Sequence, residues 1–363
     1  MLLLNMNVLL LGAGGFIGVN LAERLLRDGI HKTVALDIQE DKISEIKAMA
    51  GMEYYHLDIS RDEAKVDALV KDADVVVDLV AVANPALYVE DPVGVYDLNF
   101  TQNLKVVEQC RRHKKHLIQF STCEVYGITA AKAMGLDSRT HPIPFIEDET
   151  PLIMGPVKNH RWIYACAKQL LERVLHAYGL RDDFGYSIIR PFNFIGPRID
   201  YLPSEAGGGN PRVFSHFMNA LLYGTPMKLV DGGVNFRAYT YIDDAVDCMV
   251  RIIDHKDGAA RKQIFNIGTP ENETTIAEFA VKMKEIFNKH FRQPGDPDPE
   301  IISVSSEDFY GKGYEDCDRR IPNVDKARDL LGWRSQHDLD SVIYHTMKYF
   351  VDKHRAKQPA AAV

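Results

Sequence analysis

Asn7-Val-Leu-Leu-Leu11 is a short unbroken apolar run, and Gly12-Ala-Gly-Gly-Phe-Ile-Gly18 follows it directly. A run of that kind predicts a strand buried on both faces, as in a parallel sheet. The stretch from about Val19 to Asp28 predicts a helix, so glycines 12, 15 and 18 fall in a strand-to-helix turn. A turn without side chains lets a diphosphate approach the backbone, and a helix start offers unpaired N–H groups and a favourable dipole. Gly12, Gly15, Phe16, Ile17 and Gly18 are therefore candidate dinucleotide-binding residues.

Strand and helix signals then alternate. The second predicted strand, Thr33–Asp37, ends in an acid placed for the adenosine ribose hydroxyls, which favours NAD over NADP. Ile38 lies beside it. The third strand, Met52–Asp58, brings Asp58 and Ile59 towards the adenine. The fourth, Asp74–Val80, runs into the small residues Ala81-Val-Ala-Asn-Pro85, and a helix from about Pro92 to Arg112 carries Asn99. The fifth, His116–Phe120, delivers Ser121-Thr-Cys-Glu-Val-Tyr-Gly127, and the sixth is Tyr186–Arg190. The pattern predicts an α/β fold: a Rossmann-type doubly wound parallel sheet with a smaller C-terminal substrate-binding lobe. Residues 1–190 form the dinucleotide domain and 191–355 mainly the lobe, with some return to the sheet. Residues 356–363 read as a frayed tail.

Tyr164-Ala-Cys-Ala-Lys168 lies in a predicted helix from Arg161 to about Tyr178. Four residues make one turn, so phenol and ammonium share a face. The lysine is expected to draw the phenol towards neutral pH, making it a base. Strand ends carry ligands in such sheets, which places Thr122, Cys123 and Glu124 beside Tyr164. Ser121 reads as a turn cap, whereas a carboxylate at Glu124 has to be paired or used. Lys228 and Arg237 suit a second diphosphate, from a nucleotide-linked substrate. Phe309–Arg320, rich in aromatics and charges, reads as a lid.

The net charge of -8 argues against nucleic acid or an acidic membrane as partner. Five cysteines, without CxxC or zinc-ligand spacing, suit reduced thiols in a cytoplasmic protein, and no metal site is expected. No apolar run approaches the roughly 18 residues of a membrane span. The N-terminal residues lack a basic region and flow into a strand, so no signal peptide is expected.

Ser121–Gly127, Arg161–Gln169 and Tyr310–Pro322 resemble the extended short-chain dehydrogenases that act on nucleotide sugars, within the UDP-glucuronate decarboxylase branch. The likeness runs from Asn7 to about residue 350. It implies that Gly12, Gly15, Gly18, Asp37, Asp58 and Ile59 bind NAD. It implies that Ala83, Tyr88, Thr122, Arg161, Asn193, Lys228, Arg237 and Tyr314 contact a UDP-sugar. Tyr164, Lys168, Glu124 and Arg320 would be catalytic. The alternative role of Arg320 is to hold the lid by pairing with Asp316 or Asp318. The implied reaction oxidises UDP-glucuronate at C4 and releases CO₂, giving UDP-4-keto-pentose or UDP-xylose. Cys123 is shared with the plant UDP-apiose/UDP-xylose synthases, where it would assist ring opening, whereas Ala83 matches the polymyxin-resistance enzyme. A C4 epimerase and a non-catalytic NAD sensor remain as alternatives. The family also implies a homodimer through helices near 94–112 and 161–178.

Overall fold

The computed structural model describes residues 5–209, 211–310 and 315–357. Six strands come first: β1 (Asn7–Leu11), β2 (Lys32–Asp37), β3 (Met52–His56), β4 (Val75–Asp78), β5 (His116–Phe120) and β6 (Tyr186–Pro191). A seventh, Gln263–Ile267, joins the far edge, giving the order seventh–β6–β5–β4–β1–β2–β3. Every pairing is parallel. The chain starts mid-sheet, runs outwards to β3 and resumes with β4 on the other side of β1. Ligands of open α/β sheets sit beside such a reversal, at the carboxyl ends of the strands.

Alternation along the strands builds the two faces. Val8 and Leu10 pack in one hydrophobic cluster with Val75, Val77 and Ile118, while Leu9 and Leu11 pack in another with Val76 and Leu117. With both faces covered, β4 and β5 are buried along their whole length, which explains the unbroken apolar runs. The first cluster extends from Met6 to Val351, so the C-terminal segments share the core of the sheet.

Three departures from the sequence pattern bear on the site. Helix α1 spans Phe16–Asp28 and begins three residues early, because Val19 N already donates to Gly15 O at 3.0 Å. Strand β3 stops at His56, since Asp58 turns the chain by accepting from Ser60 N. The helix expected over 92–112 contains a π-helical stretch, Asp97–Gln102, between α-helical Pro92–Tyr96 and Asn103–Arg112. Such stretches often mark functional sites, and this one holds the buried Asn99.

In the C-terminal part, Phe236–Ala238 pairs antiparallel with Glu273–Thr275 and parallel with Arg319–Arg320. Met227–Val230 pairs with Ile301–Val304. Helix Leu339–Lys357 includes the first two residues of the expected tail, and 358–363 lie outside the described residues. Among the described residues no helix is long and apolar enough to cross a membrane.

Candidate active site

The glycine turn is folded onto the end of β2. Gly12 has φ +79°, a conformation side chains disfavour. Gly14 N donates to Asp37 Oδ2 at 2.8 Å, and Gln39 N donates to Oδ1 at 2.9 Å. A Cβ on Gly14 would stand 2.3 Å from Gln39 O, so this glycine is needed as well. The 12/15/18 spacing missed it, although the Gly14-Gly15 doublet was a visible signal. Gly15 caps α1 without a side-chain bond, and no acid occupies the first turn, leaving its N–H groups available to an anion.

Asp58 accepts from Ser60 Oγ at 2.5 Å and Ser60 N at 2.8 Å, bonds that hold its carboxyl below the usual range. Ile59 is buried with Leu36 and Leu57, whereas Ile38 is 57% exposed. Asn99 Nδ2 donates to Val82 O and Val95 O, while Asn99 Oδ1 and Ser121 Oγ are buried without partners among the described residues. The side-chain-free turn, the ribose acid and these unsatisfied polar atoms fit a dinucleotide lying over the strand ends. Ser121 is not the cap its sequence context suggested. Thr122 takes that role, accepting from Glu124 N at 3.1 Å at the start of the short 3-10 turn Cys123–Tyr126.

Tyr164 and Lys168 occupy the first turns of helix Trp162–Arg181, and both are buried. The Tyr164 ring stacks on Tyr88, with centroids 4.8 Å apart. Lys168 Nζ donates to Phe120 O at 3.0 Å. The expected lowering of the phenol is not present in the protein alone. Burial first, then Glu124, pushes Tyr164 up, with the hydrogen bond to Thr122 and the charge of Arg161 pulling the other way. Burial also brings Lys168 down to about 8, against the influence of Asp78 and Glu172. The lysine is thus tied to the strand ends, through Phe120 O.

A second cluster faces this couple. Arg161 Nη1 donates to Glu124 Oε2, and Arg320 Nη1 lies 3.7 Å from Glu124 Oε1. Asp316 binds Arg237 Nη2 at 2.5 Å and Arg320 Nη2 at 2.8 Å, with Arg161 Nη2 at 3.6 Å. Burial raises both carboxyls, but the guanidiniums outweigh it, holding Glu124 below its ordinary value and Asp316 at about 2. Arg320 arrives on its two-residue strand with Arg237 as register partner, while Arg319 leaves the other face and binds Glu273 at 2.6 Å. Glu315 ties the returning chain to the helix start, through Asn159 Nδ2 at 2.8 Å and Trp162 Nε1 at 3.0 Å.

The structure therefore brings together Tyr88, Thr122, Cys123, Glu124, Arg161, Tyr164, Arg237 and Arg320. Burial lifts the Cys123 thiol to about 11, and Cys317 packs in the same cluster. The pairing of Arg320 with Asp316 that the sequence allowed is present, alongside Glu124, whereas Asp318 accepts from Thr129 Oγ1 at 3.2 Å instead. Of the expected lid, residues 311–314 lie outside the described residues, while Arg320 is buried against Asp316 and Glu124. Asn193 stands at φ +41° and donates to Ala238 O at 3.1 Å. Ala83 and Lys228 are exposed, and Lys228 neighbours His216 rather than the arginine cluster. Tyr314 lies outside the described residues.

A glycine turn, a ribose acid and a Tyr-x-x-x-Lys helix on a doubly wound sheet define a dinucleotide-dependent enzyme of the short-chain dehydrogenase class. Residues 8–268 match the NAD dependent epimerase/dehydratase family, and the chain belongs to that family, with NAD as its cofactor. It is 38% identical over 95% of its length to UDP-D-apiose/UDP-D-xylose synthase 1 of Arabidopsis thaliana, of which 91% is covered. It is 39% identical to UDP-D-apiose/UDP-D-xylose synthase of Oryza sativa subsp. japonica, covering 95% of this chain and 89% of that protein. Among solved structures it resembles the PbgP3 protein of Burkholderia pseudomallei, with TM-score 0.83 and 32% identity over 97% of this chain and 98% of that one.

Proposed function

We propose that this enzyme carries out the NAD-dependent oxidative decarboxylation of UDP-glucuronate, through C4 oxidation, to UDP-4-keto-pentose and/or UDP-xylose. The carrying observation is the charge set of three buried arginines, Arg161, Arg237 and Arg320, against the partly buried Glu124 and Asp316. Guanidinium stays charged at any working pH, so the set has one positive charge in excess. The C6 carboxylate of a glucuronate balances it. In this reading residues 1–190 hold the cofactor, while the 191–355 part contributes Arg237 and Arg320.

NAD, when bound, supplies the two-electron acceptor. Gly12–Gly18 and Asp37 would hold it. Thr122, hydrogen-bonded to Tyr164, orients the C4 hydroxyl, and Tyr164, once ionised to the phenolate, takes its proton. The resulting ketone stands β to the C6 carboxylate, so loss of CO₂ leaves an enolate that the ketone stabilises. Arg320 grips the carboxylate beforehand, and with Glu124 it manages the proton delivered to C5. A second reading, synthesis of UDP-apiose as well as UDP-xylose, is favoured by Cys123 beside Thr122 and by the names of the plant relatives.

Incubation with UDP-glucuronate and NAD⁺, with CO₂ trapping and NMR of the product, tests these readings. The expected result is CO₂ together with a 4-keto-pentose or xylose product. UDP-galacturonate without CO₂ would replace the proposal with a C4 epimerase, and bound NAD⁺ without turnover would replace it with a sensor. We further infer a homodimer through helices near 94–112 and 161–178, where Tyr96 and Leu170 are 40% and 45% exposed. Sedimentation at the monomer mass would refute it. The cysteine reading supports a cytoplasmic location.

A further inference from the structure

Asp78 ends β4 at the reversal of strand order, and it is fully buried. Its Oδ1 accepts from Val80 N at 3.0 Å, whereas Oδ2 has no hydrogen-bond partner among the described residues. Gln119 is its register partner on β5, and Gln119 Oε1 is likewise buried and unpartnered. The surrounding amides are committed. Gln119 Nε2 donates to Asn103 Oδ1 at 3.1 Å, and Asn103 Nδ2 donates to Val80 O at 3.2 Å and Leu98 O at 2.8 Å. Reversing Asn103 would sacrifice both of its backbone bonds, so the orientation of Gln119 is fixed in turn. Two unsatisfied acceptors on paired residues call for a proton, which an ionised carboxylate lacks and a protonated one supplies.

Charged neighbours approach from two helices. Trp162–Arg181 brings Lys168 and, beyond it, Glu172, while Asn103–Arg112 brings Cys110. The strand neighbours Leu11 and Gln119 carry no charge. Burial raises Asp78 to about 6, while the charge of Lys168, the Val80 amide and the Gln119 side chain pull against it.

We propose that Asp78 is a positioning residue for the Tyr164–Lys168 couple, with two states. Protonated, it shares its proton with Gln119. Ionised, after release of that proton to solvent, it is the counter-charge that keeps Lys168 an ammonium beneath the reacting phenol. This rests on Tyr164 and Lys168 being the reacting couple of the proposed function.

Asp78→Asn keeps the shape and gains a donor towards Gln119 but loses the counter-charge. NAD⁺ affinity, measured by calorimetry, is expected to be unchanged. The alkaline limb of the kcat profile, set by Lys168, should move to lower pH by about a unit, because a neighbouring anion favours the ammonium. Infrared spectroscopy of the protein without substrate should show a protonated-carboxyl band at mildly acid pH that Asp78→Asn removes. An unmoved pH profile in folded Asp78→Asn, or a carboxyl spectrum identical to the parent's, overturns the proposal. Should that variant fail to fold, Gln119→Met is expected to change the pH at which the carboxyl band appears, and an unchanged band overturns the idea equally. A parent without turnover refutes the proposed function instead, and the infrared band then decides Asp78 by itself.

Discussion

Beneath the cofactor turn, one buried carboxyl and one buried ammonium, Asp78 and Lys168, are each shifted towards the neutral form. Across the site, the Glu124 and Asp316 side chains are only 13% and 19% exposed, yet their carboxyls are held low. Burial alone does not explain the difference. Glu124 has two guanidiniums at hand and Asp316 three, whereas Asp78 faces a single ammonium that is itself bonded to Phe120 O. Desolvation sets the same direction in both layers, and the supply of counter-charge decides the outcome. One layer is therefore suited to exchanging protons and the other to holding a fixed anion.

The sharpest separation comes from removing one reacting group. Tyr164→Phe should lower NADH formation with UDP-glucuronate by roughly 10²–10⁴-fold while the fold survives, as judged by circular dichroism. Near-parental NADH formation would mean that the proton-handling layer is misplaced. Arg320→Met probes the opposite layer. Release of ¹⁴CO₂ from labelled substrate should fall by roughly 10²–10³-fold at undiminished NAD⁺ affinity. Parental CO₂ release would reduce Arg320 to a structural partner of Asp316.

Asp316→Asn leaves three arginines facing one carboxylate, and urea unfolding should show a loss of about 3–5 kcal/mol. An unchanged midpoint would break the counter-charge argument. Acid titration sharpens it further. The Asp316 carboxyl is depressed from the ordinary range to about 2, so its stabilisation is complete above the unfolded value and lost as pH falls through about 2. Asp316→Asn should lack that component of acid unfolding. The smallest change is expected in cofactor choice: Asp37→Ser should narrow the preference for NAD⁺ over NADP⁺ without affecting Arg320. Equal affinities already in the parent would remove Asp37 from that role.

Much of this was legible in the sequence for local reasons. Apolar runs flanked by glycine locate β1 and its turn, and one helical turn links Tyr164 to Lys168. The boundary of α1 was missed because a helix can start on Gly15 without a capping side chain. Asp78 reads as an ordinary strand end, and its isolation appears only when β4 and β5 are set in register. Asp316 was visible as a partner for Arg320 but not as the meeting point of three arginines, because Arg161 and Arg237 reach it from remote parts of the chain. The expected lowering of Tyr164 considered the lysine four residues on and left out the cost of burying a phenolate.

Arg319 and Arg320 leave opposite faces of the same two-residue strand, one for Glu273 and the other for Asp316. Considered as information, the doublet carries no address, since either guanidinium has the chemistry for either pocket. The address is written in the parallel pairing with Phe236 and Arg237, which decides which residue points inwards. Drift in that pairing would leave the charge inventory of the gene product intact while aiming the wrong arginine at the acid. A comparison of residue types would record such a lineage as unchanged.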